Sequence, residues 1–315
     1  MELSISLIMG KSKLKKIIRI VLSILLLVSI LSYFIVDYMI DNYLAYSPIR
    51  PTRVLLGDLA PSKYGLKYKD FNITVEDTIV LRGWFIFSDS TKPKGTIFLL
   101  HGIGSNKSAM LYNAKSLVAA GFNCVLYDSR ANGESEGLNC TFGFYEKKDL
   151  SSLIDSVSIL FPGSEPYGAL GHSLGAAVIL QALEKDTRIK CAVVESPFAD
   201  LRNIIYHYSE KIYSVRIDWI VDKALERSEE IANFKVDEVK PSQLAKNTIQ
   251  PVMVVHGLKD DRISFKFGKE IFQNLKSTSK KWYPIKNANH NDVTIVGGDA
   301  LDTAIVFYFK SNINS

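Results

Sequence analysis

The sequence predicts an α/β protein, in which helices cover both faces of a mostly parallel sheet and one apolar helix precedes the domain. Three observations support this prediction. Short apolar segments alternate with helical patterns from about residue 67 onward, several of these segments stop at glycine or polar residues, and an uncharged run covers residues 20–36. Together they indicate one α/β domain behind a candidate membrane segment.

The uncharged run predicts a transmembrane signal-anchor over residues 17–40. At about 1.5 Å per residue it covers most of a hydrocarbon core of about 30 Å. Five basic residues precede it, which predicts a cytoplasmic N-terminus over residues 1–16 and an extracytoplasmic domain: Lys11, Lys13, Lys15, Lys16 and Arg19. A cleaved signal peptide is the main alternative, although no small-x-small cleavage site follows, and a buried core helix is the other.

The segment after this helix predicts a tether over residues 41–66, because Pro48, Pro51 and Pro61 keep the residues before them out of helical conformation. The remaining residues, 67–315, suit one domain with a sizeable core.

Charge and cysteine content exclude several classes of protein. The formal net charge is +5, but five basic residues precede the apolar run and no basic cluster follows. A nucleic-acid partner is therefore not expected. Cys124, Cys140 and Cys191 are too scattered for a disulfide framework or a zinc site, so we expect no metal.

The domain begins with a predicted hairpin from residues 69–75 and 79–87, joined at Glu76 and Asp77. Apolar strands then alternate with helices, which predicts parallel strands buried on both faces. The predicted strands cover residues 95–102, 122–130, 167–173, 189–198, 251–257 and 280–285. The predicted helices cover residues 108–121, 146–160, 174–185 and 299–311.

Parallel sheets bind ligands where their strands end, at the carboxyl edge. Four predicted strands end there in polar or glycine-rich junctions, at residues 101–102, 128–130, 171–175 and 256–257. Residues 200–248 interrupt the pattern between two such strands, and they predict a small helical lid that sets substrate choice. Its apolar residues, which could instead only pack the insertion onto the domain, are Tyr206, Tyr208, Tyr213, Trp219 and Ile220.

A serine between two glycines lies at one of these junctions, in Gly171-His172-Ser173-Leu174-Gly175. A tight strand-to-helix turn pushes the Ser173 hydroxyl clear of the sheet, at a helix N-terminus that favours negative charge. Bulky residues two positions away would collide in such a turn, so Gly171 and Gly175 are required. This pattern predicts a nucleophile, against the alternative of a serine that only caps the helix.

A serine hydroxyl needs a base and an orienting acid. In the chain order serine, acid, histidine, an acid after the strand that ends at His256 leaves His290 as the base. Asp260 is the favoured acid by spacing, whereas Asp261 and Glu195 are the other candidates.

Two backbone N–H groups are needed to hold the oxyanion that forms during acyl transfer. One is predicted at Leu174, directly after the serine, and the other at Ile103, in the loop after strand 95–102. Gly102 and Gly104 let that loop approach a substrate.

Taken together, these motifs resemble the α/β-hydrolase superfamily, and most closely its serine-aminopeptidase-like and prolyl-oligopeptidase-like esterase branch. The residues that carry the resemblance are "LLHGIGSN", "YDSRANGESEG", "GHSLGA", "ESPF", "PVMVVHGLKDDRIS" and "NANHND". The resemblance implies an eight-stranded sheet, Ser173 as nucleophile, Asp260 as acid and His290 as base. Asn132 and Ser264 depart from the commonest pattern, where histidine and proline stand.

The sequence thus predicts a membrane-anchored serine hydrolase that cleaves an ester, thioester or amide through an acyl-enzyme, without a cofactor. Its expected partners are the membrane and a small acyl or peptide-like substrate. A non-catalytic binding protein of the same fold is one alternative, although intact serine, aspartate and histidine argue against it. Another chemistry on this fold, cofactor-free peroxidation or a lyase reaction, is the other.

Overall fold

The computed structural model describes residues 11–76 and 78–314. Residues 1–10 of the predicted cytoplasmic N-terminus and Asp77 of the predicted hairpin turn lie outside the described residues. The side chain of Tyr213 is likewise outside the described part of the chain.

The described chain begins with a long helical run, formed by α1 (Lys11–Met39), a π-helical turn (Ile40–Leu44) and α2 (Tyr46–Ile49). Its most apolar window of 18 residues has a mean hydropathy of 2.5, and none of that window is buried. By length and composition this helix is able to cross a membrane, and a signal sequence near an N-terminus has the same features.

Among the described residues, eight strands form one sheet in the order β1-β2-β4-β3-β5-β6-β7-β8. The strands are β1 (Tyr68–Val75), β2 (Ile79–Ile86), β3 (Thr96–Leu100), β4 (Asn123–Tyr127), β5 (Tyr167–His172), β6 (Ile189–Glu195), β7 (Val252–Gly257) and β8 (Lys281–Ile285). The pairs β1–β2 and β2–β4 are antiparallel, and the other neighbours are parallel. The predicted α/β-hydrolase sheet is confirmed.

The burial of the strands explains why their sequence patterns differ. Every residue of β3 and β4 is buried, since helices cover both faces of the sheet there, and their sequences are correspondingly apolar. In β1, at the sheet edge, Phe71, Ile73 and Val75 are buried while the residues between them are exposed, which gives the period-two alternation.

The helices that follow the hairpin cover both faces of the sheet. They are α3 (Leu111–Ala119), α4 (Glu146–Leu160), α5 (Leu174–Ala182), α6 (Leu201–Tyr213), α7 (Asp218–Ala232), α8 (Pro241–Leu244), α9 (Phe265–Asn274) and α10 (Val293–Asn312). Helix α10 begins six residues before the predicted start because it continues across a break at Gly298, where φ is 50° and ψ is −150°. Helix α9 was not predicted, and Ser264 caps it by accepting a hydrogen bond from the Lys266 N–H at 3.4 Å.

Helices α6, α7 and α8 fill the segment between β6 and β7 that the sequence predicted as a lid. Arg202 links this segment internally, because its guanidinium contacts both Asp222 on α7 and Asp237. The hydroxyl of Tyr206 on α6 also donates to the Asp222 carboxylate. These contacts hold α6 and α7 together as one unit.

The segment predicted as a tether packs against the domain along part of its length. Ala45 and Ile49 are fully buried, as is Ile40 just before the segment. The Ser228 hydroxyl on α7 donates to the carbonyl oxygen of Ala45 at 2.6 Å, and the Cys140 N–H donates to that of Ile49 at 2.7 Å. The end of the apolar helix is therefore fixed to helix α7 and to the domain.

Candidate active site

Ser173 stands between β5 and α5 in a conformation that few residues adopt, with φ at 53° and ψ at −110°. The surrounding packing explains the flanking glycines. A Cβ atom at Gly171 would lie 2.5 Å from the carbonyl carbon of Gly175, and one at Gly175 would lie 2.3 Å from the carbonyl oxygen of Leu100. The chain can therefore make this turn only with glycine on both sides of the serine.

The structure brings Ser173, His290 and Asp260 into one hydrogen-bonded chain. His290, in the loop between β8 and α10, has its Nε2 atom 3.1 Å from Ser173 Oγ and its Nδ1 atom 2.8 Å from Asp260 Oδ2. All three residues are at most 9% exposed. With the Nδ1 proton directed at the carboxylate, Nε2 is free to accept the serine proton.

The carboxylate of Asp260 is surrounded by donors. Its Oδ1 atom accepts hydrogen bonds from the N–H groups of Arg262 and Ile263, at 3.0 and 2.8 Å. His256 Nε2 lies 3.3 Å from Oδ2. Burial alone would raise the pKa of Asp260, but the hydrogen bonds from His256 and His290 outweigh it and hold the pKa below its usual value. Asp260 is therefore an anion at neutral pH.

His256 is a site residue that sequence analysis did not assign. Its Nε2 atom faces the carbonyl oxygen of Ile263 at 2.9 Å as well as Asp260 Oδ2, so Nε2 carries a proton and donates to both. The available signal was its position at the end of β7, four residues before the acid.

The two other candidate acids lie elsewhere. Asp261 is exposed, and its carboxylate pairs with Lys211 Nζ of α6 at 2.9 Å. Glu195 ends β6 beside the serine turn, and its carboxylate lies 3.9 Å from Nδ1 of His172. Neither carboxylate contacts His290 among the hydrogen bonds of the described residues.

The predicted oxyanion donors lie on two adjoining turns. Leu174 is the first residue of α5, so its N–H has no acceptor within the helix. On the loop after β3, a Cβ atom at Gly102 would lie 3.5 Å from Ser173 Cβ, which brings Ile103 beside the serine. Asn132 fixes this loop, because its Oδ1 atom accepts a hydrogen bond from the Gly104 N–H at 2.9 Å.

His101 connects the loops after β3 and β4 and is fully buried. Its Nε2 atom accepts from the Ser129 N–H at 3.0 Å, so its Nδ1–H donates to the Gly102 carbonyl at 2.7 Å. Burial lowers the pKa of His101. The ring is thus neutral and holds the loop that carries Ile103.

His172 directly precedes Ser173 in the serine turn, and its ring centroid lies 5.0 Å from that of His290. Burial, followed by the charge of His290, lowers the pKa of His172 to about 3. The neutral His172 ring therefore adds no positive charge beside His290. Glu195 lies next to His172. Burial, and after it the charge of Asp302, raises the pKa of Glu195 to about 8.

Replacing Glu195 by glutamine should change how stability depends on pH. The unfolded chain loses the Glu195 proton near pH 4.5, whereas the folded chain keeps it to about pH 8. Stability therefore falls as pH rises through this window. Because glutamine does not titrate, the melting temperature of Glu195→Gln should fall less between pH 5 and pH 8 than that of wild type. Parallel curves in detergent solution for the two proteins would contradict this.

Possible metal ligands are scattered. Within residues 11–76 and 78–314, no group of three or more His, Cys, Asp or Glu side chains is placed to hold a metal ion. Of these described residues, Cys124, Cys140 and Cys191 are buried and free.

Comparison with known proteins finds a family model and several relatives that match this chain. The model of a family described as serine aminopeptidase, S33, matches residues 91–230, which include Ser173 and Leu174. An uncharacterized protein of Bacillus subtilis, YqkD, is 24% identical over 236 residues, which are 73% of this chain and 71% of that protein. The mouse lysophosphatidylserine lipase ABHD12 is 22% identical over 259 residues, which are 72% of this chain and 61% of that lipase.

Among solved structures, an esterase of Pyrococcus furiosus, Pf2001, superposes with a TM-score of 0.70 at 22% sequence identity. The match covers 84% of this chain and 98% of the esterase. An acylaminoacyl peptidase of Pyrococcus horikoshii superposes with a TM-score of 0.61 at 18% identity, over 79% of this chain and 42% of the peptidase. At these identities the likeness concerns the fold.

Proposed function

Because the chain belongs to the α/β-hydrolase superfamily, we propose that it is a membrane-anchored serine hydrolase that cleaves a carboxylic ester, thioester or amide through an acyl-enzyme. The observation that carries the proposal is the hydrogen-bonded chain from Ser173 through His290 to Asp260, at 3.1 and 2.8 Å. Three groups in these positions have the distances that nucleophile, base and orienting acid require.

In the proposed reaction, Ser173 Oγ attacks the substrate carbonyl carbon while its proton moves to His290 Nε2. The N–H groups of Leu174 and Ile103 stabilise the negative charge that develops on the carbonyl oxygen. The bond to the leaving group then breaks as His290 returns the proton to it. Water attacks the acyl-enzyme, gives a proton to His290, and releases the acid as Ser173 recovers its hydroxyl hydrogen.

Asp260 keeps its charge throughout this cycle. It holds the Nδ1 proton of His290 and stabilises the imidazolium that forms in each half-reaction. The donors on the other side of its carboxylate, Arg262 N–H and Ile263 N–H, keep it fixed and ionised.

Helix α1 supports the membrane part of the proposal. Its apolar side chains are exposed, which is unfavourable in water and favourable in a lipid core. The lid is proposed to be formed by α6 and α7, since α6 contacts the loop of the acid through Lys211 and Asp261. The similar proteins are named as esterase, lipase and peptidases, so the proposal covers ester and amide bonds alike.

A covalent probe tests the assignment. A fluorophosphonate should label the full-length protein in isolated membranes and should not label Ser173→Ala, because only an activated serine attacks phosphorus. The matched control is Ser158→Ala, on the exposed side of α4, which should label like wild type. Equal labelling of Ser173→Ala would overturn the nucleophile. Release of the protein by carbonate washing, or a mature chain that starts beyond residue 36, would overturn the anchor.

A further inference from the structure

The turn between α6 and α7 carries a cluster of exposed apolar side chains, which we call the lid tip: Ile212, Val215, Ile217 and Trp219. They are between 40% and 67% exposed. The charge within the tip is neutralised locally, because Arg216 pairs with Asp218 at 2.6 Å and lies over the Tyr206 ring. An apolar cluster of this kind on a folded domain indicates a contact surface.

Three contacts fix the direction of α7 beside the apolar helix. Lys223 pairs with Asp37, Arg227 lies 3.4 Å from Asp41, and Ser228 donates to Ala45. Residue numbers rise together along both helices, so they run parallel. The N-terminal end of α7 therefore points along α1 toward its apolar run.

This register sets the level of the lid tip. Trp219 lies four residues before Lys223, which is about 6 Å further along α7 at about 1.5 Å per residue. Lys223 already reaches Tyr33, whose ring centroid is 5.5 Å from Nζ. The tip thus lies beside residues near Tyr33, within the predicted membrane segment, residues 17–40.

Exposed tyrosines lie at and just beyond this level, Tyr33 and Tyr38 on α1 and Tyr43 in the π-helical turn that follows. Tyr33, Tyr38 and Tyr43 are all more than half exposed, and aromatic residues of this kind collect at the boundary between lipid and water. Trp219 would join them in one aromatic belt. If the headgroup level is set at the ion pair of Asp37 and Lys223, the apolar tip would reach about one helical turn deeper.

We propose that the lid tip inserts into the lipid bilayer beside α1 and that the substrate is an amphiphilic acyl ester whose chain lies in that bilayer. This inference rests on the proposed function, since it requires both the anchor and the hydrolase. It adds the surface on which substrate is taken up and the substrate class.

Contacts connect segments next to this surface with the loops on both sides of Ser173. On the acid side, Lys211 of α6, next to the tip, donates to the carbonyl oxygen of Asp261 at 2.6 Å. On the oxyanion side, the chain leaving α2 lies against the loop after β3. There Asn106 Nδ2 donates to the Val54 carbonyl at 3.0 Å, and a Cβ atom at Gly104 would lie 3.7 Å from the Thr52 carbonyl oxygen.

Both flanks of the site are thus joined to the membrane end of the molecule, while Ser173 itself is only 6% exposed. On this proposal an acyl chain passes from the bilayer to the site between these flanks. Long apolar chains partition from water into the bilayer far more strongly than short polar acyl groups, so uptake from the bilayer selects long chains.

The test uses the full-length protein in phosphatidylcholine vesicles. Vesicles with brominated acyl chains should quench tryptophan fluorescence, and Trp219→Phe should abolish most of that quenching. Of the two other tryptophans, Trp84 is buried in the domain and Trp282 packs against the core from β8. If the wild type showed no quenching, or if Trp219→Phe were quenched as much as the wild type, the insertion would be overturned, whatever the measured activity. This readout does not depend on catalysis.

Activity gives the second readout. In Ile212→Ser/Trp219→Ser, kcat/KM for a long-chain ester held in the vesicles should fall about tenfold or more, while that for a soluble acetate ester stays within about twofold. The matched control is Ile159→Ser, equally apolar and exposed on α4, which should match wild type on both substrates.

The outcomes separate the two proposals. If wild type cleaves the soluble ester and the double variant keeps its activity in vesicles, the inference is wrong and the hydrolase stands. If quenching occurs but no ester or amide is cleaved, the tip inserts and the proposed function fails. A change in oligomeric size of the detergent-solubilised double variant would assign the tip to a second copy of the chain and overturn the lipid contact.

Discussion

The Ser173→Ala variant should lose about 10⁶-fold in kcat, because removal of the nucleophile from a serine hydrolase leaves only oxyanion stabilisation and binding. The folded structure should persist. Ser173 makes one side-chain hydrogen bond, to His290, and alanine needs no more room in the turn. The measurement is kcat for a soluble nitrophenyl ester, with the melting temperature followed in parallel.

His290→Ala should cost about as much as Ser173→Ala, and the double variant little more than either, since residues that act as one unit are not additive. Losses that multiply would show that the two side chains act independently. Ser158→Ala again serves as the control, because its hydroxyl contacts only the Asp155 carbonyl on α4.

Local sequence patterns predicted the sheet well because each strand carries its own burial signal. The parallel strands β3 and β4 are buried on both faces and read as uninterrupted apolar runs, whereas the edge strand β1 alternates. Strand order was not readable from these patterns, and the family resemblance supplied only the number of strands, eight. Helix α9 was missed although Ser264 caps it, since Ser264 was interpreted only as a departure from the family pattern.

The order of residues along the chain predicted the chemical groups of the site, because strand ends of a parallel sheet meet at one edge. The contacts that support these groups were harder to predict from the sequence. His256 and Asp260 lie in one motif, but the sequence does not show that the imidazole points at the carboxylate. Gly104 and Asn132 lie in two different motifs, and nothing in the sequence pairs them. Asn132 is instructive, because it departs from the commonest family residue and still holds the loop that carries Ile103.

The packing of the segment after α1 against the domain was the feature that sequence patterns predicted least well. Its prolines favoured a tether, and nothing local distinguishes an apolar residue that contacts lipid from one that contacts α7. In the structure, Ile40, Ala45 and Ile49 are fully buried while Leu27, within the uncharged run, is 67% exposed. Only the partner surface on α7 separates these two kinds of residue.

Asp260→Asn should lower kcat by about 10³–10⁴-fold, by the wrong-tautomer effect known in serine proteases. An asparagine side chain has one acceptor and one donor group where Asp260 has two acceptors. The N–H groups of Arg262 and Ile263 hold the amide oxygen on their side, at the present Oδ1 position. The NH₂ group then faces His290 Nδ1.

That arrangement changes the protonation of His290. Nδ1 would accept from the amide, so the proton moves to Nε2, and Nε2 could no longer take the proton of Ser173. Asp261→Asn is the matched control one residue away, since its carboxylate is exposed and, among the described residues, pairs with Lys211. It should keep kcat within about threefold of wild type, because an exposed ion pair contributes little. If Asp261→Asn were the damaging change and Asp260→Asn nearly silent, the acid would have to be reassigned by one residue, and the 2.8 Å contact between His290 and Asp260 would have no part in catalysis.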